Sequence, residues 1–359
     1  VSEITLEVGG NRLEGWKRVS IERELGAICG RFSLGMVDSW NAASQSWFVK
    51  PYSACRVLID RDPVLTGYVD QLEVSRSSSG LEISAAGRDK TADLVDCSAI
   101  LNAYELKNVT LSQLVRKLIA DFGIKYVEQA SPGKPFPFVQ ISCGTRVAQI
   151  LEDHAKYRGV LFQTDEAGQL VLALPGAKRA ATAIISGQNL KQYTIRYDTQ
   201  DRFSKYVVQS QTAGSAEDFG ASSNQIQGQA TDSGVPRYRP YGIVADQSAT
   251  ADDSKKRAQW EAISRAARTV RVSVEVVGWR QGPDEKSPLW EVNAKVQVKI
   301  PEAGLDGEFL IAGLHFSRDL GGGSTTTIEL ERPDAYLPEP LVDPETKVFG
   351  AFAPDAEDE

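Results

Sequence analysis

Short apolar–polar alternations fill the first hundred residues. They occur at 4–8, 18–22, 31–36, 56–59, 65–74 and 81–85, punctuated by Gly9-Gly10, Gly26, Asp62-Pro63 and the run 77–80. Period-2 runs bounded by turn residues predict β-strands, and this many at such spacing predict a small barrel or sandwich. The period changes after residue 97. Thr110 and Gln113 fit a capping box, and Leu111, Leu114, Val115, Leu118, Ile119 and Phe122 share a helical face. A strand at 124–127, a strand at 139–142, a helix with Val147, Ile150, Leu151, His154 and Ala155 on its apolar face, and a hairpin at 160–164 and 169–173 complete an α+β pattern.

Strand patterns return at 194–197 and 206–210. The stretch 209–235 is rich in Gly, Ser, Ala, Gln and Asn, which predicts a long exposed loop, because such residues bury too little to offset their ordering entropy. A helix capped by Asp252, Asp253 or Ser254 should run to about Arg271, with Trp260, Ile263, Ala267 and Val270 on one side. Arg257, Arg265, Arg268 and Arg271 gather on the other. Strands resume at 272–277, at 290–300 and in a hairpin beginning at Phe309.

That last hairpin is an altered copy of an earlier one. LTGYVDQLEVSRSSSGLEISAAGRDKTADL at 65–94 and FLIAGLHFSRDLGGGSTTTIELERPDAYL at 309–337 each run an apolar strand into Ser-Arg (Ser75-Arg76, Ser317-Arg318). A Gly/Ser turn, a second strand and an Arg near an Asp follow (Arg88-Asp89; Arg332 and Asp334). The separation is 242 residues at Ser-Arg and 244 at the Arg, predicting a later turn longer by two. Internal repetition outranks other signals, so the expected fold is mainly β with α+β: two similar small β-barrels plus a small α+β domain. The expected division is 1–96 (barrel 1), 97–183 (α+β domain), 184–245 (connecting strands and the loop 209–235), 246–337 (helix plus barrel 2) and 338–359 (an acidic, proline-containing tail).

Composition narrows the function. With 359 residues, 42% hydrophobic and 25% charged, the chain suits two to three globular domains, and no apolar run approaches the roughly 20 residues of a membrane span. A net charge of −8 is opposite to that of a protein that coats nucleic acid. Cys29, Cys55, Cys97 and Cys143 form no CxxC pair and read as small buried hydrophobes in a reducing compartment, and no basic-then-apolar leader opens the chain. His154 reads as a core or domain-interface histidine and His315 as a strand position; neither has metal-type neighbours. No nucleophile elbow, phosphate loop or dinucleotide fingerprint occurs. No catalytic residue, metal or cofactor is therefore predicted. The candidate contact residues are Arg257, Arg265, Arg268 and Arg271, with Arg237 and Arg239 in the RYRPY segment: either a salt-bridged surface or a subunit or channel contact.

Several segments in order carry a family resemblance: LTGYVDQLEVS, GRDKTADLVDCSA, YRGVLFQTDEAGQLVL, RYRPYGIVAD, KKRAQWE, and VGWRQ with LWEVNAKVQVKIP and FLIAGLHF. Together they resemble the baseplate hub proteins of contractile-tailed phages, of the phage Mu hub or tail protein P type. Late control protein D, the T-even hub and the amino-terminal part of type VI secretion spike proteins are more distant relatives. The resemblance implies a structural protein and not an enzyme: a homotrimeric ring of six quasi-equivalent barrels joining a sixfold tail tube to a threefold central spike. It further implies partners in the spike, tube and baseplate wedge proteins, transient passage of DNA without specific binding, assembly in the host cytoplasm and a place in the virion tail. Relatives with a fused lysozyme or spike are longer, so hydrolysis and puncture would fall to separate proteins. The competing readings are a cell-wall hydrolase acting during penetration and a DNA-contacting channel module.

Overall fold

The computed structural model describes residues 2–38, 49–77, 80–210, 226–244, 251–319, 321, 323–337 and 340. The chain begins with β1 (Ile4–Val8), β2 (Asn11–Leu13), β3 (Arg18–Glu24), β4 (Arg31–Asp38), β5 (Ala54–Ile59), β6 (Asp62–Ser77) and β7 (Gly80–Asp89). Next come α1 (Ala92–Asp96), β8 (Glu105–Val109), α2 (Leu111–Leu118), β9 (Tyr126–Glu128), β10 (Phe136–Gln140), α3 (Val147–Lys156), β11 (Leu161–Thr164) and β12 (Leu170–Ala173). The third part holds β13 (Lys178–Arg179), β14 (Ile184–Ile185), β15 (Leu190–Tyr197), β16 (Lys205–Ser210), β17 (Ile226–Thr231), β18 (Pro240–Val244) and α4 (Ala251–Ala267). It closes with β19 (Val270–Val277), β20 (Ala294–Ile300), β21 (Leu305–Asp319) and β22 (Gly323–Glu331).

Duplication is written into the sheet topology. One 14-stranded sheet contains the order β3-β4-β7-β6-β5, and beside it β15-β19-β22-β21, with β20 on the far edge of β21. These are the same permutation of five strands in the same chain order. Both long strands carry a bulge at the matching place: the register shifts between Val69 and Gln71 in β6 and between Ile311 and Gly313 in β21, 242 residues on. Since a bulge is a specified feature of a ladder, its recurrence marks the hairpins as equivalent. The later turn is longer by one residue and not two, because Ser77 pairs with Gly80 and Asp319 with Gly323. Arg88 therefore corresponds to Glu331, and Arg332 stands where the first copy has Asp89; matching by residue type had misaligned them by one.

Each copy buries a single face, as the alternation predicts. Phe32, Leu34, Met36, Ile83 and Ala85 in the first, and Val272, Val274, Val276, Ile328 and Leu330 in the second, join one continuous core. Among the described residues no α-helix contributes to that core, which is built from the strands and the segments joining them. Residues 91–173 enclose a separate core around α2, α3 and β12, and the predicted capping box is present, Gln113 N donating to Thr110 Oγ1 and Thr110 N to Gln113 Oε1.

The second half departs from expectation. β15 is the counterpart of β3 and completes the second copy, where a connecting strand was expected. The predicted loop 209–235 contains β17, which pairs antiparallel with β16; residues 211–225 lie outside the described residues, as does the acidic tail but for Pro340. The composition of IQGQAT misleads because α4 lies on it. A Cβ on Gly228 would sit 2.0 Å from the Ser254 carbonyl carbon, so only a bare backbone fits. α4 ends at Ala267, short of Arg271, and its buried face is Ser254, Ala258, Glu261, Ser264 and Ala267. Ile263, expected inward, is 48% exposed. Cys97 and Cys143 are exposed, contrary to their expected burial, since one closes α1 and the other sits in a turn.

Asp89 joins the first copy to the α+β domain. Its carboxylate accepts from Gly30 N at 2.8 Å, and Thr91 Oγ1 lies 2.7 Å away while also lying 2.6 Å from Ile28 O. One hydroxyl proton serves only one of those acceptors; a protonated Asp89 satisfies both by donating to Thr91. Burial pushes the carboxyl up to about 6. The folded state thus holds a proton that the unfolded chain releases, so this contribution is full below the ordinary carboxylate range and is lost as pH rises through about 6. Replacing Asp89 by Asn should remove a fall in stability of up to about 3 kcal/mol across that window, read by urea unfolding at several pH values. Gly228→Ala should lower stability by about 1–3 kcal/mol and expose the α4 unit to limited proteolysis.

Candidate functional site: the repeat junction and an arginine cleft

The most specific contact surface in the chain is where the copies meet. β21 continues past β20, and its residues 313–318 pair antiparallel with β3, with Phe316 opposite Ile21 and His315 opposite Glu22. Phe316 is 2% exposed and Ile21 fully buried. Ser20 Oγ lies 2.9 Å from His315 Nε2, which gives that histidine a junction role. Trp279 caps the inner side, its Nε1 donating to Ser317 O and Thr325 O at 3.1 Å. The Arg318 guanidinium stacks 4.5 Å from the centre of the Trp279 ring and reaches the Ser2 carbonyl. Arg280 locks the far end, 2.9 Å from Asp60 and 2.8 Å from Asp62. Burial alone would push the Asp60 carboxyl up, but the Arg280 hydrogen bond and charge, together with hydrogen bonds from the Glu3 N–H and Ser2, outweigh it and hold the group below the usual carboxylate range.

A cleft of about 260 Å³ opens beside the free end of the sheet, lined by Arg196, Asp198, Asp201, Arg265, Arg268, Thr269 and Arg271. The predicted arginines do not form one stripe. Arg257 and Arg265 clamp the buried Glu261 at 2.9 and 2.6 Å, and Arg265 also stacks 4.5 Å from the Tyr241 ring centre. Arg239 stacks on Phe203 at 5.0 Å and donates to Gln200 O at 2.8 Å. These three serve packing within the chain. Arg268 donates to Ala335 O at 3.3 Å, and Arg271, in β19, lies 3.7 Å from Glu331. Only Arg265, Arg268 and Arg271 of the predicted set share the cleft; Arg237 is exposed beside Tyr238. Arg196, which the sequence reading passed over, joins them, and its place on the edge counterpart of β3 was the missing signal.

His154 is half-buried, its Nδ1 2.7 Å from Ile150 O and its ring edge-on to Phe136 at 5.2 Å. Among the described residues no three His, Cys, Asp or Glu converge as metal ligands, and no helix is long and apolar enough to cross a membrane. The geometry is that of a duplicated β unit whose two copies share an edge, a structural framework.

Comparisons with known proteins agree. Residues 3–89 match the Mu phage baseplate assembly protein GpP-like N-terminal family, 91–174 the second domain of baseplate hub protein gp44-like proteins, and 250–339 the fourth domain of Mu phage baseplate assembly protein GpP. The baseplate hub protein gp44 of Escherichia phage Mu is 30% identical over 342 residues, covering 93% of this chain and 89% of that protein. A 43 kDa tail protein of prophage MuSo2 from Shewanella oneidensis superposes with a TM-score of 0.81 at 37% identity, covering 93% of this chain and 99% of that one. A tail protein from Neisseria meningitidis MC58 shares the fold, with a TM-score of 0.78 at 22% identity over 95% and 99% of the two chains. The chain belongs to the Mu-type baseplate hub family. It is a structural, non-enzymatic component of the tail.

Arg280→Ala should strand Asp60 and Asp62 at the junction and cost about 2–4 kcal/mol, scaled down from a fully buried pair because the aspartates are partly exposed. Thermal unfolding measures it; a change below about 0.5 kcal/mol would show that the strand pairing alone holds the copies together.

Proposed function

We propose that the chain acts as a homotrimer whose two β units alternate around an axis, giving six similar positions on a threefold frame. The duplicated five-strand topology carries this reading, because two equivalent units in each of three subunits match a sixfold tube without breaking closed symmetry. The ring would seat a central spike protein below and tube and baseplate wedge proteins above and around it, assembling in the host cytoplasm before entering the virion. DNA would pass through its channel transiently. A chain of net charge −8 suits a conduit, since a strongly basic lumen would hold DNA through many phosphate contacts. Arg237, Arg268 and Arg271, exposed on the described surface, are the predicted arginines left for contacts between subunits or with these partners.

Mass in solution tests the reading. Light scattering or sedimentation should give three times the 39.1 kDa chain mass, with a ring-shaped projection by electron microscopy. Each subunit interface should bury on the order of 2,000 Å². A chain monomeric at every concentration would overturn it.

A further inference from the structure

The cleft beside the free end of the sheet holds more positive charge than the described residues neutralise at close range. Four arginines share it with two aspartates, Asp198 and Asp201. Arg265 is tied to Glu261 at 2.6 Å. Arg196 and Arg271 are exposed, and the salt bridges they make among the described residues, to Asp198 and Glu331, are long at 3.7 Å. Arg268 donates to the Ala335 carbonyl at 3.3 Å and makes no salt bridge among the described residues.

The chain passes out of the described residues against the helix that borders this cleft. The turn Pro333–Tyr336 is held there at both ends, Arg268 donating to Ala335 O and Trp260 Nε1 to Leu337 O at 2.9 Å. Trp260 and Arg268 are eight residues apart in sequence, about 12 Å at helical rise. The 22 residues from Pro338 to Glu359 follow, seven of them Asp or Glu against one Lys, and four of the acids fall in the last five positions. Before those comes VFGAF at 348–352, and α4 shows Ile263 48% exposed within one turn of Trp260.

We infer that the acidic segment 355–359 docks in the arginine cleft of its own chain, with Phe349 and Phe352 laid over Ile263 and Trp260 on the way. The spacing fits. Residues 338–348, three of them proline, are enough to loop out and return to α4. From Phe352 the acids lie three to seven residues on, roughly 10–23 Å of extended chain, and Ile263 and Trp260 stand roughly 8–12 Å from Arg268 along the helix. The charges fit as well, since each guanidinium of Arg196, Arg268 and Arg271 can give a carboxylate two parallel N–H donors. Exposed ion pairs are individually weak, but a tethered segment needs little affinity per contact to fill its site. Arg268 and Arg271 would then reach an outside partner only in exchange for these carboxylates.

This docking stands whatever the number of subunits, and disulfide trapping in the full-length chain tests it. In a Cys97→Ser/Cys143→Ser background, Asp201→Cys on the cleft wall and Glu357→Cys should join on mild oxidation within one chain, giving a fast-migrating band of single-chain mass on a denaturing gel. Asp121→Cys, in the α+β domain, should join Glu357→Cys at least about tenfold more slowly. Arg196→Gln with Arg271→Gln, both at exposed positions, should slow the cleft link at least about fivefold, and so should salt at about 1 M, which screens charges beyond about 3 Å. Phe349→Ser with Phe352→Ser should slow it about threefold. Equal rates at Asp201 and Asp121, or a cleft rate indifferent to both the arginines and salt, would overturn the docking. Covalent dimers in place of the single-chain band would give the cleft to the acidic segment of a second copy and overturn it as well.

Discussion

An unpaired strand edge is the constraint on which this structure turns. A backbone row that lacks hydrogen-bond partners is satisfied by water, by a side chain or by another strand. Here β3 solves the problem with β21, a strand nearly three hundred residues away, and so welds the two copies into one 14-stranded sheet with one core. That core draws side chains from both copies and is continuous across the joint. Trp279, Arg318 and Arg280 are accessories to it: they fill, cap and lock a joint whose position the backbone has already set.

The long strand makes this economy possible. β21 spans 15 residues, its first part pairing β20 and its last part β3 along one edge, while β22 takes the other. The bulge at Ala312 falls where the partner changes from β20 to β3. Bulges increase local twist, so the strand can leave the curl of its own copy and enter the neighbouring one. The same bulge at Asp70 in β6 gives that strand the same change of direction.

Much of the fold could be read from the sequence because its signals are local. The Thr110–Gln113 capping box and the alternation in the two hairpins depend on neighbours within a few residues, and both are found as expected. The errors have one source, which is packing against a distant element. Residues 226–231 look like loop because Gly228 must be bare under α4, and the inward face of α4 looks outward because small and charged residues fit a close helix–sheet contact. The hairpin turn was misjudged by one residue because Arg88 and Arg332 attracted an alignment that register does not support. For the contact surface, a stripe of arginines was the visible cue. Arg257 and Arg265 turn out to clamp Glu261, and Arg196 owes its importance to the strand it lies on and not to any local motif.

Joining the two copies in one polypeptide has a kinetic consequence. Two separate units would meet only by collision; within one chain the β3–β21 joint forms during folding, at the high effective concentration of a tethered partner. The joint is also asymmetric, with His315 of β21 facing Glu22 of β3.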